Sequence, residues 1–487
     1  MRTSGGCISC KRRRKKCDLT KPRNFLLCSW DSPNLALGTT PGEQQSPSTR
    51  RWSTQSPTQQ SKAAQTEVIA SLQASMASAA RFSRSPNNLH PALKRPESQF
   101  LFTHFLHRTA GVLSVSKGHN PFVDVLVPVA LQSDMVLQAL LTLSGVHLLQ
   151  GGTQCYGAAT WEHQAQALRS LKYGVTKFVM SETDLAYSLS ICTLIFCFIE
   201  VTSMLSARRY CYGEANIETI EQVIGGDTKG NMFHHMKATE QLLLAKAMPL
   251  TDQNDPNLRT FILEWYSYIS ALSAICYAKS NNFSTPLFDG ICDELLAQGA
   301  SRPGVLFGCS RELFVLIPRV ILIAQRIPQE QEEDGCISCP TSLERDRLLH
   351  SVQTWKPSSS ANADCAAAGK IYQLALSALL QIDMDNATLQ HHVASVASLL
   401  QALPISSQVT TTLCWPLSIL GSLARLDSCK SSIRCYLELL ATRYRFGNFQ
   451  QSLHLLDTLW KENEAPIKSI LSIQSVMKRN GYYFTFA

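Results

Sequence analysis

Apolar side chains recur at helical spacing along most of this chain, from about residue 99 to its end at 487. Leu137, Leu140, Leu141, Ser144 and Leu148 form one stripe, with Ser133 and Asp134 placed to cap the helix that carries it. Phe449, Leu453, Leu456 and Trp460 form another, at spacings of four, three and four. Comparable patterns fit residues 101–108, 158–178, 184–203, 232–246, 257–278, 311–326, 342–353, 364–382, 387–402 and 429–444. Strand-like alternation is scarce. The pattern therefore predicts an all-α body over residues 99–487, with loops at Pro- and Gly-rich places such as 225–230 and 328–340. Trp415, Trp460 and Phe449 read as its core residues, and no fixed internal period marks a solenoid of identical repeats.

The stretch before it obeys other rules. Between residues 31 and 62, 20 of 32 positions are Ser, Thr, Pro or Gln, too little apolar surface to offset the entropy of ordering. Residues 31–98 are accordingly expected to be a flexible linker. Within it, residues 63–82 could form a short helix with Val68, Leu72 and Met76 on one face. That is under three heptads, so no zipper is assigned and a homodimer stays open as a partner.

Charge separates a third region. Residues 1–30 hold nine Lys or Arg against the single acid Asp18, a formal +8 that equals the excess of the entire chain. Any polyanion partner should be met there, double-stranded DNA above all. The amino terminus lacks the apolar core of a secretion signal. The longest uncharged apolar run, Leu185 to Ile199, stops after fifteen residues and is too short for a membrane span. An intracellular protein with no membrane partner is expected, its seventeen cysteines serving as buried apolar groups or metal ligands.

The cysteines of the head frame its cations. Cys7 and Cys10 are separated by two residues, and Cys17 follows after the run Lys11, Arg12, Arg13, Arg14, Lys15 and Lys16. On a straight helix Cys10 and Cys17 would lie about 10.5 Å apart along the axis. Thiolates on one tetrahedral zinc must be within about 4 Å of each other, so the chain has to bend between them. The basic run has no apolar residue to bury, which makes metal the only adhesive for that bend. The cations in turn offset the negative charge of the thiolates and project outward, where Arg or Lys can meet guanine edges in a major groove. A second CISC, Cys336 to Cys339, sits among acids without a partner pair and reads as a loop coincidence.

The stretch GCISCKRRRKKCDLTKP resembles the first half of the fungal six-cysteine, two-zinc cluster of transcription factors. The resemblance implies that Cys7, Cys10 and Cys17 are zinc ligands, that Arg13 and Arg14 read CGG-type triplets, and that Lys11, Arg12, Lys15 and Lys16 mostly meet phosphates. Cys28 is the one further cysteine available. It fits either the fourth ligand position or, from the sequence RNFLLCSW, the sixth, with a segment carrying the fourth and fifth missing between Pro22 and Arg23. Either way the head as written can complete at most one four-thiolate zinc. Residues 101–148 and 413–460 are similar to the opening and the close of the fungal-specific transcription factor regulatory domain. Together these imply a nuclear, zinc-dependent regulator of RNA polymerase II genes in a fungus: head 1–30, linker 31–98, and a large helical regulatory domain 99–487 whose effector is unknown. The alternative is a helical association or partner-sequestering protein without DNA binding. No phosphate loop, GxSxG elbow, HExxH helix or DDxxD run supports an enzyme.

Overall fold

In a computed structural model the chain is described at residues 90–115, 118–177, 183–202, 231–244, 256–276, 290–293, 304–308, 310–359, 361–383, 386–462, 467, 469–480 and 486. The predicted zinc-cluster head, nearly all of the linker and the short helix at 63–82 lie outside these residues. The body is all-α, as its periodicity predicts. Among the described residues the one extended pairing is an isolated bridge between Gly304 and Gly308.

After a 3-10 turn at Pro91–Lys94, α1 spans Pro96–His104 and runs through a π turn, Phe105–Thr109, into α2, Ala110–Leu113. Two short helices follow, α3 (Pro121–Asp124) and α4 (Leu126–Gln132). The first half continues with α5 (Asp134–Gln150), α6 (Gly157–Lys177), α7 (Thr183–Thr202), α8 (Asn231–Leu244) and α9 (Pro256–Ser273). The second half holds α10 (Arg311–Glu333), α11 (Cys339–Thr354), α12 (Ala363–Leu380) and α13 (Asn386–Ala402). A 3-10 turn at Gln408–Leu413 then leads into α14 (Cys414–Leu423), α15 (Asp427–Tyr444), α16 (Gly447–Glu462) and α17 (Ile470–Asn480).

Two kinds of helix explain the architecture. In α5 every residue from Met135 to Leu148 is buried, and in α14 every residue from Cys414 to Leu423 is. Helices that are covered all round must sit at the centre of a stack. Around them α6, α10, α15 and α16 bury a single stripe each, such as Leu313, Phe314, Ile317, Ile321, Ala324 and Ile327 of α10. Helix α5 packs against α1, α6 and α7, and α14 against α12, α15 and α16. The Thr160 side chain of α6 packs so closely on Gly145 of α5 that a Cβ there would lie 2.1 Å from Thr160 Oγ1. Glycine is what permits that approach.

Three local expectations need correcting. Helix α10 does not end near 326 but continues through Pro318 and Pro328 to Glu333. Its buried stripe extends through Ile327, and Glu330 anchors the next helix, receiving hydrogen bonds from Ser338 N (2.8 Å), Ser338 Oγ (3.0 Å) and Thr341 Oγ1 (2.7 Å). The second CISC is not all loop, because Ser338 caps α11 and Cys339 opens it. Ser133 does occupy the N-cap position of α5, but its side chain makes no capping bond, and Asp134 instead accepts from Gln138 Nε2 at 3.1 Å.

Candidate functional site

The predicted ligands Cys7, Cys10, Cys17 and Cys28, and the predicted DNA contacts Lys11, Arg12, Arg13, Arg14, Lys15 and Lys16, lie outside the described residues. Cys336 and Cys339 are both exposed, and no group of three or more metal-binding side chains occurs among the described residues. The polar chemistry of the body gathers elsewhere, along α5.

At the π turn, the amide of Ala110 bonds the carbonyl of Phe105 five residues back, where an α-helix would reach four. The extra residue brings Thr109, fully buried, between two imidazoles. Thr109 Oγ1 is 3.0 Å from His147 Nδ1 and 3.3 Å from His104 Nδ1. His147 Nε2 is 3.0 Å from the carbonyl of Tyr444, at the last turn of α15. A carbonyl can only accept, so His147 carries its proton on Nε2, and its Nδ1 accepts from the Thr109 hydroxyl. Ser144 Oγ donates to the carbonyl of Leu101 at 2.6 Å. The proton between Ser144 and His104 Nδ1, 3.1 Å apart, must then come from the imidazole. The whole chain of bonds thus has one consistent polarity with both rings neutral.

Electrostatics favours that state. Burial, followed by the neighbouring His147 and by Arg108 and Arg445, lowers the pKa of His104 to about 4. Burial also lowers His147 to about 4, against an opposing contribution from the Tyr444 carbonyl. Every charged side chain acting on the pair is a cation, so a proton on either ring is opposed from all sides. Arg445 holds a left-handed backbone, φ 56, where it ends α15, and its guanidinium packs onto Gly151 at the end of α5. The ring of Phe446 lies 5.4 Å from His147.

A third histidine, His163 of α6, joins α1 and α5. Gln138 Nε2 donates to Asp134, leaving Gln138 Oε1 to accept from His163 Nδ1 at 2.5 Å. His163 Nε2 then accepts from Ser98 Oγ at 3.1 Å. Burial lowers the pKa of His163, so this ring too is held neutral. Helix α1 is therefore pinned at its start through α6 and at its end through α5 and α15.

A buried carboxyl group, that of Glu264, fastens another part of the body. Glu264 of α9 accepts from Leu306 N at 2.7 Å and from the amides of Phe307 and Val305. The five-residue loop around it is closed by Gly304 and Gly308, at φ +59 for the latter. Burial raises the pKa of Glu264, with the three amides and Arg311 opposing. This arrangement fastens a loop to a helix.

Reasoning from sequence missed the importance of His104, His147, His163 and His235. His235 is buried, stacks on Phe196 at 5.3 Å, and is lowered by burial to about 4. The available signal was polar letters inside an otherwise apolar helix: Gln138, Ser144 and His147 interrupt α5, where a buried polar group needs a partner. Trp415 and Phe449 are core residues, as expected. Trp460 is only partly covered, donating from Nε1 to the Gly421 carbonyl at 2.9 Å beneath the guanidinium of Arg434.

Buried central helices, amphipathic covering helices and a directed polar seam define a large all-helical domain. Residues 100–487 match the family model of the fungal specific transcription factor domain. The chain belongs to that family, which makes it a transcription regulator, of a class that is typically non-enzymatic. No curated protein and no solved structure matches it. Among the described residues no helix is long and apolar enough to cross a membrane.

Proposed function

We propose that the chain is a nuclear, sequence-specific DNA-binding regulator, in which residues 1–30 capture the duplex and the helical body governs output. The observation that carries this reading is the run of six cations inside a cysteine frame, joined in one chain to a body of the fungal transcription factor family. Capture is electrostatic: each phosphate neutralised releases counterions, and log affinity falls with log salt by about 0.9 per contact. Arg13 and Arg14 read guanine edges, each good contact contributing roughly 1–3 kcal/mol of discrimination. Lys11, Arg12, Lys15 and Lys16 position the head on phosphates.

The donor set of the head fits one zinc. Four thiols, Cys7, Cys10, Cys17 and Cys28, satisfy one tetrahedral ion, whereas a bridged pair requires six. The metal would supply the fold of the head and no chemistry. The shortfall of two cysteines favours a second reading, a helical association protein that sequesters partners without touching DNA. Zinc analysis of the full chain, with gel-shift competition between duplexes that contain and lack CGG, separates the two. Bound zinc and a preference for CGG that Arg13→Ala and Arg14→Ala abolish support the first reading. No binding leaves the second, and binding indifferent to sequence overturns base readout by Arg13 and Arg14.

A further inference from the structure

The π turn at Phe105–Thr109 is a one-residue excess within an otherwise continuous helix. Such turns are rare beside α geometry and occur mostly as single turns within α-helices. Here the contacts that hold the turn can be named on both sides. Upstream, His104 is fixed by Ser144. Within the turn, Thr109 is fixed by His147, which is itself fixed by the carbonyl of Tyr444. Downstream, the carbonyl of Ala110 accepts from Asn120 Nδ2 at 2.9 Å, and that of Gly111 from Gln408 Nε2 at 3.3 Å. The residues facing solvent in the turn, His107 and Arg108, contribute nothing apolar to hold it.

If the excess residue is absorbed into α geometry, everything after it rotates about the helix axis by about 100°. Thr109 then leaves His147, and Leu113, which is 7% exposed, leaves the core. The Asn120 and Gln408 contacts to the downstream carbonyls break in the same movement. These contacts are alternatives to the relaxed helix rather than additions to it, so the relaxed helix would be a second, discrete register.

We propose that Pro96–Leu113 is a two-register switch, latched in its π form by the Thr109 hydroxyl between His104 and His147, which couples the first helix of the body to the junction of α15 and α16. The latch is specific to the π register, since only there does Thr109 face both rings. Its release frees α2 from the 3-10 turn that leads into α14. The inference concerns the body alone and stands or falls independently of DNA binding by the head.

Hydroxyl-radical footprinting of the full chain at neutral pH tests it, with Thr109→Val as the probe. Removing the hydroxyl should raise labelling of Leu113 roughly tenfold, the population shift that one lost buried hydrogen bond produces, while labelling of Leu101 and Phe102 upstream is unchanged. Thr109→Ser, which restores the hydroxyl, should return Leu113 to the wild-type rate. Gln408→Ala, which cuts the downstream anchor from another element, should reproduce the local release and serves where the valine variant does not fold. Unchanged labelling of Leu113 in the variants that fold would overturn the switch. So would a rise at Leu101 and Phe102 in step with Leu113, because that is general loosening rather than rotation.

Discussion

The polar seam at Thr109 and the aromatic stack around Trp415 both join distant parts of the same body, but they resist change differently. In the stack, Phe307, Phe314, Tyr372 and Trp415 follow one another with ring centroids 4.9, 4.5 and 5.9 Å apart. Its one directed bond is from the Tyr372 hydroxyl to the Thr412 carbonyl. Attraction there is summed over many atoms and is indifferent to small rotations or to protons. In the seam, four groups each have one allowed donor and acceptor arrangement, and a single added proton contradicts it. Packing sets how stable the body is, whereas the seam sets which arrangement is adopted.

The largest effect should come from the stack. Trp415→Ala removes a fully buried indole and is expected to cost about 3–5 kcal/mol, read as a lower urea midpoint with α12 and α14 unfolding together. A loss under about 1 kcal/mol would mean that the stack is not the main adhesive, and the contrast with the seam would fail.

Acid should act on the seam and spare the stack. The unfolded chain protonates histidine near the ordinary 6.5, while folded His147 resists until about 4. Between these values the unfolded state holds more protons, so stability is complete above about pH 6.5 and declines as pH falls toward 4. For His147 the span corresponds to on the order of 3 kcal/mol, with His104 and His163 changing in the same direction. Urea midpoints measured from pH 7 to pH 4.5 should fall in the wild type. The decline should be shallower in His147→Gln, whose side chain does not titrate. Parallel declines would show that other groups govern acid sensitivity.

Much of this body was legible from its letters because helical burial repeats. The stripes Leu137 to Leu148 and Phe449 to Trp460 each mark a helix that the fold contains. What was hidden was position relative to other helices. The apolar run around His147 marks it as buried, but nothing local names its decisive partner Tyr444, 297 residues away. The π turn is equally silent, since FLHRT carries no breaker and is imposed by contacts from α5. Pro328 misled in the other direction, where tertiary burial of Ile327 and the Glu330 anchor outweighed a local helix breaker. The head is the reverse case: its proposed chemistry rests on residue type and spacing alone, and its residues lie outside those described.

The smallest effect should come where seam and surface bind the same two helices side by side. Arg95 Nη1 lies 2.6 Å from Glu162 Oε2, with both side chains about half exposed, and joins the start of α1 to α6. Three residues on, Ser98 joins α1 to His163 of α6 through a neutral bond that is buried. Distance alone ranks the ion pair higher, but water and salt screen it and two long side chains must be ordered to form it. Arg95→Ala should therefore cost roughly 0.2–1 kcal/mol and lose most of that in high salt. Ser98→Ala leaves the buried Nε2 of His163 without a donor and should cost about 1–3 kcal/mol at any salt concentration. If the charged pair proves the costlier of the two, and remains so at high salt, directed bonds in the seam owe little to burial and the distinction drawn between seam and surface is lost.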